Sequence, residues 1–140
     1  QDFLISMSDH YYNNGLLIMM KNHTNIDTIA SVGADYNIKE IHDIDDGMKI
    51  DIDKETNLIK AMSKELPIYN AIDCGLFKCR YEFFDYLEKA KEKNECSLSD
   101  ACNILIENNL MGSVDIQDNT WIDIDTPEAL DFINNNPGKF

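Results

Sequence analysis

The spacing of hydrophobic positions changes several times along the chain, and each change marks an element. Residues 3–8 (Phe-Leu-Ile-Ser-Met-Ser) are apolar at both parities. They predict a strand buried on both faces, as parallel strands are. Asp9 and His10 follow at its C-terminal end. Residues 15–22 form a short apolar segment that predicts a helix. Residues 28–34 alternate, with Ile29, Ser31 and Gly33 set against Thr28, Ala30 and Val32, and predict a strand. Met48, Ile50 and Ile52 alternate with Lys49, Asp51 and Asp53, the pattern of a half-exposed strand. A polar turn at 53–57 leads into 58–63, which pairs back to complete a hairpin.

Residues 71–79 predict another strand, interrupted by Gly75. In 81–93, Phe83, Phe84, Leu87 and Ala90 recur at helical spacing. Ser97-Leu98-Ser99-Asp100 reads as a capping box with Asp in place of Glu. The helix it opens carries Leu98, Ala101, Leu105 and Ile106 on one face. Residues 112–116 and 120–124 flank Gln117-Asp118-Asn119 and predict a second hairpin. Thr126 as N-cap, Pro127 in the first turn and Glu128 beside it start a last helix, which runs to about Asn135. Interleaved strands and helices with two hairpins predict an α/β fold with a mixed sheet. An α/β domain seldom opens on a central strand, so material is expected upstream of residue 1.

Length and charge narrow the function. A chain of 140 residues fits one domain. It carries 26 Asp and Glu against 12 Lys and Arg, a net charge of −14, and Arg80 is its only arginine. Nucleic acids and anionic membranes need clustered basic residues, so no nucleic-acid partner is expected. No apolar run approaches the ~20 residues of a membrane span, so no direct membrane insertion is expected either. Cys74, Cys79, Cys96 and Cys102 form no CxxC pair and read as buried free thiols of a cytoplasmic protein. The six glycines never form GxG, and no GxSxG is present.

The chemistry that remains is carboxylate chemistry. Asp9 sits at a strand end, with a turn residue or helix cap as the alternative reading. In Trp121-Ile122-Asp123-Ile124-Asp125-Thr126, a strand sets Asp123 and Asp125 on one face. Asp125 also reads as a cap of the helix that follows. Asp123 is harder to explain away, because aspartate between two isoleucines has low strand propensity. Two like charges side by side need a cation or water. If the two strand ends are neighbours, Asp9 and Asp123 share a Mg²⁺, which takes hard oxygen ligands. The stretch Asp43-Ile44-Asp45-Asp46-Gly47 misplaces its glycine for a calcium loop and reads as a solvated acidic loop.

Ser8-Asp9-His10, Tyr69-Asn70-Ala71-Ile72-Asp73-Cys74-Gly75-Leu76-Phe77, Ser97-Leu98-Ser99-Asp100 and Trp121 through Glu128 occur in an order and spacing that resemble one family. The chain resembles the C-terminal part of inositol-1-phosphate cytidylyltransferases. These belong to the nucleotidyltransferase superfamily, with the sugar-phosphate thymidylyl- and uridylyltransferases. The resemblance covers residues 3–133. It implies a Rossmann-like (GT-A-like) α/β fold with a mixed central sheet, incomplete at the N-terminus. Residues 1–140 are then the metal- and acceptor-binding portion of the domain. The implied reaction joins CTP and inositol 1-phosphate into CDP-inositol and pyrophosphate with Mg²⁺, for phospholipid biosynthesis.

The resemblance also implies residue roles. Asp9 matches the first metal aspartate and Asp123 the second, with Asp125 as its alternative. Lys64 matches a lysine that faces the substrate phosphate, although this chain has Ser-Lys where the family has Gly-Lys. Lys49 matches a strand lysine near the acceptor. Asp73 and Gly75 match positions that contact acceptor hydroxyls. The family's Gly-rich nucleotide-binding segment has no counterpart here, so the chain alone is expected to be inactive. Uncovered sheet edges make a homodimer an expected consequence. Two alternatives stand beside this reading: a phosphocholine or other sugar-phosphate nucleotidyltransferase, and a non-catalytic binding module with the same half-fold.

Overall fold

The computed structural model describes residues 1–140. A six-stranded mixed sheet forms its middle layer. Its strands are β1 (Asp2–Ser6), β3 (Ala30–Asp35), β4 (Lys49–Ile52), β5 (Ile59–Ser63), β6 (Ala71–Arg80) and β7 (Met111–Asp115). The order is β5-β4-β6-β3-β7, and β1 also pairs with β6. All pairings are antiparallel except β3 with β7. β6 is therefore the spine, holding β3 along one edge and β4 and β1 along the other. A separate two-stranded ribbon joins β2 (His10–Tyr12) to β8 (Trp121–Asp123).

The helices cover both faces. α1 (Asn14–Asn22) places Leu16 and Met20 against Cys74, Leu76 and Ile116. On the other face α2 (Phe83–Glu92) and α3 (Leu98–Glu107) bring Phe83, Ala90, Ala101 and Leu105 into one cluster with Phe77, Cys79 and Met62. Each fully buried large side chain contributes roughly 1.5–3 kcal/mol, so both faces of the spine are fixed. α4 (Pro127–Asn135) closes the chain, with the Phe132 ring stacked 5.8 Å from that of His42.

The capping signals work as their chemistry requires. Ser97 Oγ accepts from the Asp100 backbone N–H, and the Asp100 carboxylate accepts from the Ser97 N–H. Thr126 Oγ1 accepts from Ala129 N–H, with Pro127 in the first turn. The 49–63 hairpin forms, turning through Asn57 at φ 61°.

Three expectations are corrected. β1 is not buried on both faces. Phe3 and Ile5 pack on the core while Asp2, Leu4 and Ser6 are exposed, the alternation of an antiparallel strand with one covered face. The second hairpin does not form. β7 pairs parallel with β3, and Ile116 N–H extends that ladder to the Ala34 carbonyl. The chain then turns through Gln117 in the left-handed region, and β8 crosses to β2 instead of returning to β7. Cys96 is exposed, whereas Cys74, Cys79 and Cys102 are buried and all four thiols are free. No helix is long and apolar enough to cross a membrane.

Candidate active site

The β2–β8 ribbon is the device that assembles the site. Its ladder sets His10 opposite Asp123, Tyr11 opposite Ile122 and Tyr12 opposite Trp121. Ile124 N–H donates to the Asp9 carbonyl at 2.7 Å and extends the pairing by one step. Asp9 and Asp123 come from opposite ends of the chain, and this ladder makes them neighbours. Ligand atoms of Asp9, His10 and Asp123 lie within 4.8 Å of one another.

The two carboxylates differ in environment. Asp9 is exposed, and its Oδ1 accepts from His10 Nδ1 at 2.9 Å. That bond holds its carboxyl below the usual carboxylate range. Asp123 is half-buried, and its Oδ1 is buried without any hydrogen-bond donor. Burial pushes the Asp123 carboxyl up. His10 opposes this, and the negative charges of Asp9, Asp125 and Asp46 add to it. A buried acceptor without a partner costs roughly 1–3 kcal/mol, and more when charged. A hard divalent cation between Asp9 and Asp123 would supply the missing partner, so this donor set fits such an ion.

Asp125 does not join that pair. β8 ends at Asp123, and Asp125 instead lies within 4.8 Å of Asp43 and Asp46. The acidic stretch read as a solvated loop has its aspartates exposed, as expected, but it also lines the site. Asp43, Asp46 and Asp125 line the same cavity of about 310 Å³ as Asp9 and Asp123. Lys64 lines it too, with Nζ 3.0 Å from Asp46 Oδ1. Both partners of that pair are about half exposed, where an ion pair is worth only ~0–1 kcal/mol. An incoming anion would therefore compete easily for the ammonium.

Lys49 is held elsewhere. Its ammonium donates to the carbonyls of Ile44, Asp45 and Gly47 at 3.0–3.3 Å, and it stands outside the cavity lining. Three acceptors use all three N–H bonds of a lysine. Lys49 thus pins the acidic loop.

Asp73 and Gly75 line the same cavity. Asp73 accepts from the Gly75 N–H at 2.5 Å. Burial pushes its carboxyl up to about 6, against the pull of that hydrogen bond and of His10. Gly75 lies at φ +77°, inside the register shift between β3 and β6. A Cβ there would stand 2.9 Å from Met7 Cγ and 2.9 Å from His10 Cδ2. Gly75→Ala is therefore expected to destabilise the chain by at least ~1–2 kcal/mol from the left-handed backbone alone, read as a lower urea midpoint.

Sequence reasoning assigned His10, Trp121 and Asp35 no part in a cation site. The His10 ring stacks on the Trp121 indole, and Trp121 Nε1 donates to Asp35 Oδ2 at 2.8 Å. One signal was available: Trp121 stands two residues before Asp123 and so shares its face in a strand.

No family model matches the chain. One curated relative, the bifunctional sugar-1-phosphate nucleotidylyltransferase/acetyltransferase of Sulfurisphaera tokodaii, is 30% identical over 86 residues, 59% of this chain and 21% of that protein. Among solved structures, the inositol-1-phosphate CTP transferase from T. maritima superposes at TM-score 0.78 with 18% identity. The match covers 92% of this chain and 51% of that one. A putative glucose-1-phosphate thymidylyltransferase from Bacillus anthracis, in complex with a sucrose, superposes at 0.75 with 15% identity, covering 96% and 53%. The UTP-bound UGPase from Acinetobacter baumannii superposes at 0.72 with 15% identity, covering 96% and 50%. The chain has the Rossmann-like nucleotidyltransferase fold. It spans about half the length of those solved structures.

Proposed function

We propose that this chain forms the cation- and acceptor-binding side of a nucleotidyltransferase site. The proposed reaction moves CMP from CTP to inositol 1-phosphate, giving CDP-inositol and pyrophosphate with Mg²⁺. The observation that carries the reading is the buried, partnerless Oδ1 of Asp123 beside Asp9 in a cavity that also holds Lys64 and Asp73. A non-catalytic module has no reason to hold two carboxylates together at this energetic cost.

Asp9 and Asp123 would hold the ion. When bound, it supplies positive charge to phosphate oxygens and fixes their orientation. The acceptor's own phosphate is already ionised at neutral pH, so no general base is required. The protein's part is to orient and to neutralise. Lys64, exchanging Asp46 for phosphate, neutralises the acceptor. Asp73 accepts from an acceptor hydroxyl, and its partly buried carboxyl makes that bond stronger than one made in water.

Six aspartates and one lysine line the cavity. That imbalance favours a second reading, an acceptor carrying an ammonium as well as a phosphate, such as phosphocholine. A calorimetric comparison of inositol 1-phosphate, glucose 1-phosphate and phosphocholine separates the two.

The six glycines of these 140 residues provide no nucleotide-binding loop. Steady-state pyrophosphate release from CTP and inositol 1-phosphate is therefore expected to be absent with this chain alone. Substantial turnover would overturn the half-site reading.

A further inference from the structure

His10 is held more firmly than a turn residue beside a ligand requires. Its ring lies parallel to the Trp121 indole, at 7° with centroids 5.4 Å apart. The Tyr12 ring lies 6.1 Å away at 23°. The indole is itself anchored through Nε1 to Asp35, which is only 8% exposed. Gly75 leaves the His10 ring the space a side chain would fill, since a Cβ there would come within 3.0 Å of Nε2. The His10 side chain is 12% exposed.

These contacts leave the ring one polar engagement, Nδ1 with Asp9 Oδ1 at 2.9 Å. An ionised carboxylate only accepts, so Nδ1 carries the proton in that bond. Nδ1 is therefore closed to a metal, Nε2 lies against Gly75, where a Cβ would come within 3.0 Å of it, and hard divalent cations take oxygen before imidazole. His10 is within reach of a shared ion with Asp9 and Asp123, yet its geometry suits a different task.

We propose that His10 is the positioning residue of the cation site. Braced by Trp121 and admitted by Gly75, it uses its Nδ1–H to fix the Asp9 carboxylate beside Asp123. This rests on the cation reading of that pair. Trp121 and Asp35 act one step further out, as the wall that keeps the ring from turning. Ligating carboxylates depend on such hydrogen-bond partners, whose loss typically weakens metal binding ~10–100-fold.

The test is Mn²⁺ binding to the full chain, followed by electron paramagnetic resonance, in four forms. His10→Phe keeps a stacking ring and removes the donor. His10→Asn places an amide N–H near the Nδ1 position. His10→Gln places it near Nε2 instead. The wild-type chain and His10→Asn are expected to bind within a few-fold of each other. His10→Phe and His10→Gln are expected to fall ~10–100-fold below them. The Asn and Gln pair keeps the comparison decisive if the Phe variant does not fold. Asn falling as far as Gln, or Gln binding like wild type, would overturn the proposal. So would a strong ¹⁴N coupling on the bound Mn²⁺, which marks direct ligation by the imidazole. Failure of the wild-type chain to bind Mn²⁺ would remove the cation reading, and this proposal with it.

Discussion

Asp73→Asn is expected to stabilise the chain at pH 7 by roughly 2–3 kcal/mol, at ~1.36 kcal/mol per pKa unit. The gain is expected to vanish below about pH 4. Burial raises the Asp73 carboxyl from its ordinary value of 3.8 to about 6 in the folded state. Between those values the folded chain binds a proton that the unfolded chain has released. The contribution of Asp73 to stability is therefore greatest below pH 4, where both states are protonated, and is lost as pH rises through 6. Asparagine has no charge to desolvate, and its Oδ1 can still accept from the Gly75 N–H. Urea midpoints of the two proteins at pH 7 and pH 4 measure the effect. An equal difference at both values would mean that the carboxylate is not strained by burial. A wall residue that destabilises the apo protein at working pH is what a binding site, rather than a structural core, would contain.

How much of this was legible before the structure depends on whether the signal was local. Ser97 with Asp100, Thr126 with Pro127, and the alternation from Met48 to Ser63 each act within a few residues, and each element formed where its chemistry set it. β2 and β8 are three residues each and have no period to read. Their pairing unites the two ends of the chain, and it alone makes Asp9 and Asp123 neighbours. The same tertiary preference undid the hairpin expected around Gln117-Asp118-Asn119. Two polar strand ends could have paired there, but β3 offered β7 a parallel ladder and β2 offered β8 another. The contacts of Lys49 were hidden for a related reason. Alternation set it correctly on β4, but nothing local showed that the carbonyls of Ile44, Asp45 and Gly47 would converge on its ammonium. Asp123 was the exception among long-range features. An aspartate between Ile122 and Ile124 is unfavourable enough in a strand to announce that something else must compensate it.

That compensation sets the second large effect. Asp123→Asn is expected to weaken Mn²⁺ binding by more than the ~10–100-fold that follows from losing a hydrogen-bond partner of a ligand, because it removes a ligand itself. The same substitution removes a carboxylate that burial and three neighbouring acids push towards protonation. The variant is therefore expected to be at least as stable as the parent to urea at pH 7 while losing the ion. Loss of binding together with loss of stability would point to a structural role for Asp123. Unchanged binding would remove it from the site. Asp125→Asn provides the contrast, since Asp125 groups with Asp43 and Asp46 rather than with Asp9. Its effect on Mn²⁺ affinity is expected to be the smaller of the two.

The most direct measurement is a calorimetric titration of inositol 1-phosphate into the 140-residue chain, with and without Mg²⁺, repeated on Asp123→Asn. Binding is predicted only with Mg²⁺ present, and is predicted to disappear in the variant. Binding that ignores Mg²⁺, or that survives Asp123→Asn, would contradict a site built on Asp9 and Asp123.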